Sequence, residues 1–335
     1  MTNPVVVGAT AGIITAGSLP LVLMALRRAG ILDTPGARSS HTRPTLRGGG
    51  VAVIVGSTVA ASQAAEFRTL QGLAAVGVPV LLGMVGFIDD VRSLGVRARL
   101  GAQLLLGALA ILALVEERVP TVPLLLTVVL AGAVWVAGYL NAFNFVDGIN
   151  GISGVTAAIT GVYYAVLGAA ADSNVLTVIG AAVAGSSLAF LPYNYPKAVV
   201  FLGDSGSYFL GASIALAAVI AWRDGVSPVA VVAPLALYLG DTATTLLRRA
   251  RRGARLWAAH REHAYQRIAN DHLGHPRTTL LVGAATVIAS GFGVAADRAG
   301  GAADVAAAIG VLGVVAVYLR LPAWLDHRKP AGAHP

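Results

Sequence analysis

Long apolar segments dominate this chain and decide its class of fold. Runs of about 20 apolar residues recur along its whole length, and each can cross the hydrocarbon core of a bilayer as a helix. Of the 335 residues, 56% are hydrophobic and 12% are charged, which is too apolar for a soluble globular protein of this length. The runs predict an all-α polytopic membrane protein with about eleven transmembrane helices, over 4–26, 49–65, 70–88, 99–115, 122–140, 151–170, 174–191, 206–222, 226–246, 278–296 and 303–320.

The basic residues predict how these helices are oriented. If consecutive helices alternate in direction, 20 of the 24 Lys and Arg residues fall on one side of the membrane. By the positive-inside rule that side is the cytoplasm, so the N-terminus is expected outside and the C-terminus in the cytoplasm. This distribution, with attraction to anionic lipids, accounts for the net charge of +8, and nucleic-acid binding is not expected.

The domain organisation follows from the same pattern. The first apolar run has no basic segment before it, which favours a retained span over a cleaved signal peptide. The chain contains no cysteine, which excludes disulfides and thiolate metal sites. We expect one integral membrane domain over 1–327 and a disordered tail over 328–335, with cytoplasmic loops at 27–48, 89–99, 141–150, 192–206 and 247–277.

Two cytoplasmic segments are acidic or rich in amides. Asp89 and Asp90 end the third predicted helix, where adjacent carboxylates are typical of metal binding or proton transfer, although a solvated helix end also fits. Asn141, Asn144 and Asp147 recur at a spacing of three, which places them on one helical face. Oxygen ligands of this type suit Mg²⁺.

Two further segments on this side suit phosphate groups. Gly203-Asp204-Ser205-Gly206 leads directly into a helix, so its amides can cradle phosphate oxygens while Asp204 holds a metal, or its side chains can simply cap the helix. The segment from His260 to Arg267 mixes imidazoles and guanidinium groups that suit a diphosphate. The neighbouring run from Arg248 to Arg255 also suits lipid headgroups, and we expect Asp241, late in the ninth span, to pair with Arg248 or to serve structurally.

These segments together resemble the polyprenyl-phosphate N-acetylhexosamine-1-phosphate transferases of the glycosyltransferase family 4 type, in the branches that initiate O-antigen and teichoic acid synthesis. That family also includes the phospho-MurNAc-pentapeptide translocase. The resemblance covers nearly the whole chain, because five motifs occur in order on one side of the membrane. They are Arg38-Ser39-Ser40-His41 with Pro44-Thr45 and Gly48-Gly49, then Asp89-Asp90, 141–151, 203–207 and 263–267.

The resemblance implies a reaction and its participants. A polyprenyl phosphate, expected to be undecaprenyl phosphate, attacks a UDP-sugar, UMP leaves, and a polyprenyl-diphospho-sugar for cell-envelope polysaccharide is formed. Mg²⁺ is the implied cofactor, with Mn²⁺ able to substitute. The enzyme is expected in the bacterial inner membrane with its active site in the cytoplasm, and homodimerisation is expected by analogy only.

The resemblance also assigns roles to individual residues. Asp204 is the implied leading Mg²⁺ ligand and Asn144 a second contributor. Asp89, Asp90 and Asp147 are the implied catalytic residues, the first two as proton acceptor or organiser of the lipid phosphate and the third beside the nucleotide. The expected substrate-binding residues are His41, Arg47, Asn141, Asn150, Gly203, His260, Arg261, His263 and Arg267.

Two departures from the family pattern leave the sugar open. This chain has Asn150 where many members have an aspartate, and His263-Ala264-Tyr265-Gln266 where many have His-x-His-His. Both forms look more like the branch that uses 6-deoxy-acetamido sugars, so N-acetylfucosamine or N-acetylquinovosamine is the alternative to another N-acetylhexosamine. A secondary transporter is a more distant alternative, but its polar groups would lie near the midplane of the membrane.

Overall fold

A computed structural model describes residues 2–35, 43–255 and 260–327 of the chain. Ten helices within these ranges are long and apolar enough to span a membrane, and the shorter apolar helix Gly50–Ser62 lies at the position of another predicted span. The prediction of an all-α polytopic membrane protein is therefore confirmed. His41 and the predicted tail over 328–335 lie outside the described residues.

The helices follow the predicted order, and the long ones correspond to the predicted spans. In the first half of the chain they are α1 (Pro4–Ala29), α2 (Gly50–Ser62), α3 (Leu70–Arg92), α4 (Val96–Val115), α5 (Val122–Val146) and α6 (Ile152–Ala170). In the second half they are α7 (Asn174–Asn194), α8 (Gly203–Arg223), α9 (Pro228–Val232), α10 (Ala236–Arg251), α11 (Ala264–Ile268), α12 (Gly274–Ala299) and α13 (Ala302–His327). Helices α9 and α10 form one span, and α11 runs through a π-helical turn into α12.

Helix α8 lies at the centre of the bundle. It packs against α2, α3, α5, α6 and α7, and 89% of its most apolar stretch is buried inside the protein. The corresponding share is 22% for α1 and 17% for α13, whose apolar side chains face outward, where lipid would surround them. A helix that is apolar on all sides is expected to be buried, and small residues such as Gly206 and Ala212 let its neighbours come close.

Three short strands that the sequence reading did not predict join two loops at one end of the bundle. Strand β1 (Leu32–Asp33) pairs antiparallel with β2 (Thr45–Arg47), and β2 pairs parallel with β3 (Val200–Phe201). Arg47 lies opposite Phe201 in this register. The small sheet therefore brings the segment after α1 to the start of α8.

Helix α8 begins inside the protein, where its first amides need acceptors that water cannot supply. Its own N-cap residue, Leu202, has no side chain that can accept a hydrogen bond. Asp90 of α3 supplies both acceptors, since the amides of Asp204 and Ser205 donate to its carboxylate oxygens at 3.0 and 3.1 Å. Gly86 permits this approach, because a Cβ atom there would overlap the carbonyl group of Asp204. Asp90 thus caps α8 from a neighbouring helix.

The loops of the bundle gather at two ends, as the predicted alternation requires. At the end opposite the small sheet, Arg118 donates to the carbonyl oxygen of Arg223 at 3.0 Å, and Ser173 donates to Asp224 at 2.6 Å. The guanidinium of Arg223 and the hydroxyl of Ser173 hold the pKa of Asp224 below its usual range, although burial opposes them. The division of the loops into two groups is therefore visible in the fold, and the compartment that each group faces stays a prediction.

The first test concerns this orientation. Because the natural chain has no cysteine, a single cysteine at Ala254 reports on the predicted cytoplasmic end without changing any charge. A membrane-impermeant maleimide should label Ala254→Cys only after the cells are opened. The control Glu117→Cys lies at the other end and should be labelled in intact cells. The reverse pattern would overturn the orientation.

The second test concerns the cap on α8. Asp90→Ala removes the acceptor of two buried amides and of Nε of Arg47, which keeps its ion pair with Asp204, so we expect a free energy of unfolding lower by about 2 to 4 kcal/mol. Thermal unfolding in detergent would report it as a lower midpoint. The control is Asp326→Ala, whose carboxylate is 45% exposed and pairs with Arg267 and His272, so its effect should stay below about 1 kcal/mol. Equal shifts in both variants would contradict the capping role.

Candidate active site

A polar cleft of about 290 Å³ opens at the end of the bundle that carries the small sheet. Seven of the predicted site residues line it: Arg47, Asn144, Asp147, Asn150, Gly203, Asp204 and Arg261. They come from four separate segments of the chain, so the fold brings together motifs that lie up to 214 residues apart, from Arg47 to Arg261. Polar groups that gather at one end of the bundle are expected of an enzyme at a membrane surface, rather than of a transporter with a midplane site.

Arg47 links Asp204, which lines the cleft, to Asp90, whose buried side chain does not. Its Nε lies 2.6 Å from Oδ1 of Asp90, and its Nη2 lies 2.9 Å from Oδ1 of Asp204. Burial opposes the charge of this guanidinium, but the carboxylates of Asp204 and Asp90 outweigh that effect and raise the pKa of Arg47. The side chain is 34% exposed, so Arg47 is accessible from the cleft while the two carboxylates fix its position.

Asp204 and Asn144 are in direct contact across the α5–α8 interface. The amide nitrogen of Asn144 donates to Oδ1 of Asp204 at 3.0 Å and to the hydroxyl of Ser207 at 2.8 Å. The same oxygen of Asp204 is therefore held by a cation and by an amide. The predicted pair of metal-binding residues lies together at one point of the cleft.

Asp147 follows the last residue of α5 and lines the same cleft. Burial raises the pKa of its carboxyl to about 7, and the neighbouring carboxylates of Asp204 and Asp90 act in the same direction. The hydroxyl of Ser153 and the charge of Arg47 oppose the shift. A carboxyl that is difficult to ionise beside other carboxylates favours an arriving cation.

The residues present fit a magnesium ion. Asp147, Asp204 and Asn144 offer hard oxygen donors on the wall of one cleft, and Mg²⁺ is bound by one or two carboxylates together with water and substrate phosphates. Within residues 2–35, 43–255 and 260–327, no three acidic or histidine side chains form a complete protein-made metal site. The donor set therefore suits an ion that shares its coordination with a substrate.

Two amides at the start of α8 already have an acceptor. Gly203 and Asp204 line the cleft, but the amides of Asp204 and Ser205 already donate to Asp90. They therefore cannot cradle phosphate oxygens in this arrangement. The guanidinium groups of Arg47 and Arg261 are the cationic groups that line the cleft among the described residues.

Two of the predicted residues are directed away from the cleft. Asp89 accepts hydrogen bonds from the amide of Leu94 and from Nη1 of Arg99, both at 2.6 Å, so it closes the turn between α3 and α4. Asn141 lies one turn before Asn144, and its amide donates to Gln103 and to the carbonyl oxygen of Ala137, both at 2.7 Å. Neither lines the cleft, and their predicted roles stay predictions.

The residues from 260 to 267 lie partly in the cleft, partly in the interior and partly at the surface. Arg261 lines the cleft, whereas Arg267 lies outside it and forms an ion pair with Asp326 at 2.7 Å. His263 is buried, and the ring of His260 stacks on it with 5.0 Å between the centroids. Burial, followed by the charges of His263 and Arg249, lowers the pKa of His260.

The expected ion pair between Asp241 and Arg248 is wrong. Asp241 lies 3.2 Å from Nδ1 of His263, while Nη2 of Arg248 donates to Thr245 and to the carbonyl oxygen of Glu262. Thr245 also donates to Asp241 at 3.3 Å, so Arg248 contacts a neighbour of this carboxylate and not the carboxylate itself. The alternative of a structural role for Asp241 agrees with this geometry.

Among the described residues, five further residues with polar side chains line the cleft that sequence reasoning did not assign to it: Asp33, Asn194, Gln266, Asn270 and His275. Asn194 is buried, accepts a hydrogen bond from the amide of Gly151 at 2.7 Å and donates to the carbonyl oxygen of Val200 at 2.9 Å. Each of the five lies at or near a predicted cytoplasmic loop, which is the only signal in the sequence that could have found them.

Comparison with known proteins shows which family this chain resembles. The model of the glycosyl transferase family 4 matches residues 73–222, from α3 to the end of α8. A decaprenyl-phosphate N-acetylglucosaminephosphotransferase of Mycolicibacterium smegmatis is 30% identical, over 98% of this chain and 90% of its own. A probable undecaprenyl-phosphate N-acetylglucosaminyl 1-phosphate transferase of Bacillus subtilis is 26% identical, over 78% and 76% of the two chains.

A third relative comes from another branch. The phospho-N-acetylmuramoyl-pentapeptide-transferase of Symbiobacterium thermophilum is 34% identical over 63% of this chain and 71% of its own. The similarity thus extends from one end of the fold to the other and includes every segment that lines the cleft. The chain belongs to glycosyl transferase family 4, the family of the polyprenyl-phosphate N-acetylhexosamine-1-phosphate transferases, and is a multi-pass membrane enzyme that transfers a sugar phosphate.

Proposed function

We propose that this enzyme transfers an N-acetylhexosamine-1-phosphate from a UDP-sugar to a polyprenyl phosphate. A lipid phosphate oxygen attacks the β-phosphorus of the donor, the bond from that phosphorus to the bridging oxygen breaks, and UMP leaves with the bond's electrons. The observation that carries the proposal is the cleft in which Asp147, Asp204 and Asn144 face Arg47 and Arg261. Oxygen donors beside guanidinium groups suit a metal-bound diphosphate.

In this proposal Asp204 and Asn144 hold Mg²⁺, with Asp147 beside them. The ion would neutralise part of the charge on the diphosphate, which is the principal requirement of phosphoryl transfer. Arg47 and Arg261 supply the fixed cationic groups that orient the phosphates. A lipid phosphate is largely ionised near neutral pH, so the reaction does not require a general base, and the geometry of Asp89 and Asp90 agrees better with support of the site.

Asn150 is the proposed contact for the nucleotide sugar. It lies in the cleft, and its side-chain amide donates to the carbonyl oxygen of Pro196 at 3.1 Å. Its backbone groups are also engaged, because Thr279 donates to its carbonyl oxygen at 2.8 Å. These contacts fix the residue and leave its side-chain oxygen available for a donor group.

GlcNAc-1-phosphate is the first candidate for the transferred group. Two of the relatives described above are named for N-acetylglucosamine, which supports this sugar over the 6-deoxy-acetamido alternative. Their names specify undecaprenyl and decaprenyl phosphate, so both lipids are candidate acceptors. The sidedness of the basic residues supports an active site that faces the cytoplasm in the inner membrane, where the product would initiate cell-envelope polysaccharide synthesis.

The third test concerns Asp204. We expect Asp204→Asn to lower kcat by at least about 100-fold, because it removes a carboxylate from the proposed metal site at nearly constant volume. The assay uses purified protein, labelled UDP-GlcNAc and undecaprenyl or decaprenyl phosphate, and it measures UMP and lipid-linked sugar. Chelation of Mg²⁺ should stop the wild-type reaction, and added Mg²⁺ should restore it.

The control for this test is Asp326→Asn, which removes a carboxylate from the same end of the bundle but outside the cleft. It should retain normal turnover, and both variants should unfold close to the wild-type temperature. Near-normal turnover of Asp204→Asn in the presence of Mg²⁺ would remove Asp204 from the metal site.

The fourth test concerns Asn150. Asn150→Asp keeps an acceptor oxygen but replaces the amide that donates to Pro196 by a charged oxygen. The side chain loses the contact that fixes it, so we expect the apparent affinity for UDP-sugars to fall by about 1 to 3 kcal/mol, with a changed ranking of sugars. The panel is UDP-GlcNAc, UDP-GalNAc and UDP-6-deoxy-acetamido sugars. Asn174→Asp, at the opposite end of the bundle beside Thr2, is the control. Identical constants for wild type and Asn150→Asp would rule out the contact.

A further inference from the structure

A buried carboxylate outside the cleft collects an unusual number of hydrogen bonds. Asp241 of α10 is fully buried, and the amides of Ala264 and Tyr265 donate to it at 2.9 and 3.3 Å. The hydroxyl of Tyr318 donates at 2.8 Å, and Nδ1 of His263 lies at 3.2 Å. A carboxylate so well supplied with donors fixes the segment that supplies them.

That segment forms part of the cleft wall. Helix α11 begins at the two amides that Asp241 holds, so Asp241 determines where the helix starts. Arg261 and Gln266, on either side of this point, line the cleft. The side chain of Gln266 also accepts a hydrogen bond from the amide of His263 at 3.4 Å. The position of this wall therefore depends on the carboxylate of α10.

Tyr265 connects Asp241 to the other wall of the cleft, at the end of α5. Its buried hydroxyl donates to the carbonyl oxygen of Phe145 at 2.9 Å, in the last turn of α5. A Cβ atom at Gly148 would overlap this hydroxyl, and all three of its nearest neighbours would be atoms of Tyr265. The tyrosine thus contacts the chain on both sides of Asp147 in the sequence.

We propose that Asp241 is a positioning residue that acts through Tyr265 on Asp147 and through the start of α11 on Arg261 and Gln266. The inference rests on the proposed function, because it assigns to Asp241 and Tyr265 the support of residues that would hold the donor and its metal. It also predicts that the two residues differ in how much of the cleft they support. Asp241 holds both walls, whereas the Tyr265 hydroxyl holds only the end of α5.

Two readouts test this proposal on the full-length protein in detergent. The first is kcat/KM for UDP-GlcNAc, and the second is hydrogen–deuterium exchange of peptides over 143–152 and 260–275. Asp241→Asn should lower kcat/KM by at least about 100-fold and raise exchange in both peptides. Tyr265→Phe should lower kcat/KM by about 10-fold and raise exchange only in 143–152. A purely structural role would raise exchange throughout α10 to α13.

A double variant tests the contact between Gly148 and the Tyr265 hydroxyl. Gly148→Ala should lower kcat/KM by at least about 100-fold, because its methyl group would collide with the Tyr265 hydroxyl. Tyr265→Phe removes that oxygen, so Gly148→Ala with Tyr265→Phe should recover to within about 10-fold of Tyr265→Phe alone. The matched control is Tyr164→Phe, which removes a buried hydroxyl that donates to the carbonyl oxygen of Val231 at 2.7 Å near the opposite end, and it should keep wild-type kcat/KM.

The outcomes that would contradict the positioning role differ from the outcome that would refute the proposed function. Wild-type kcat/KM in Asp241→Asn, or wild-type activity and exchange in Tyr265→Phe, would overturn the positioning role. A double variant no more active than Gly148→Ala would also count against it. Wild-type protein that transfers no sugar from any UDP-sugar would instead refute the proposed function, and the exchange pattern would then decide the positioning by itself.

Discussion

The carboxylate of Asp90 is the interaction on which the rest of the site depends. A helix that starts inside a membrane protein has unsatisfied amides and no water to bond them, and α8 is the most deeply buried span. Asp90 accepts two of these amides and also pairs with Arg47. One buried charge therefore determines where α8 begins, which way Asp204 faces and where the small sheet attaches.

The spans could be predicted from sequence because the information is local. A run of apolar residues near the thickness of a bilayer specifies a helix whatever its neighbours are, and all eleven predicted runs coincide with helical segments. The shared side of Arg47, Asp147, Asp204 and Arg261 followed from counting alternations. Each segment of the cleft could thus be assigned to one end of the bundle before its geometry was known.

The contacts within that end could not be predicted, because they depend on how close the helices approach. Spacing placed Asn141 and Asn144 on one face of α5, but only Asn144 reaches Asp204, while Asn141 meets Gln103 of α4. The strands of two or three residues have no periodicity to detect. The nearest cation in sequence suggested Arg248 as the partner of Asp241, yet α11 brings the more distant His263 to that carboxylate.

The balance of charge explains why the proposed function includes a divalent cation. Asp147 and Asp204 line the cleft with Arg47 and Arg261, and the charge of Arg47 is already shared with the buried Asp90. A diphosphate would bring further negative charge to a site with little positive charge to spare, and like charges repel strongly where water is scarce. A cation that arrives with the donor would relieve this repulsion and favour ionised Asp147, so donor and metal would each strengthen the binding of the other.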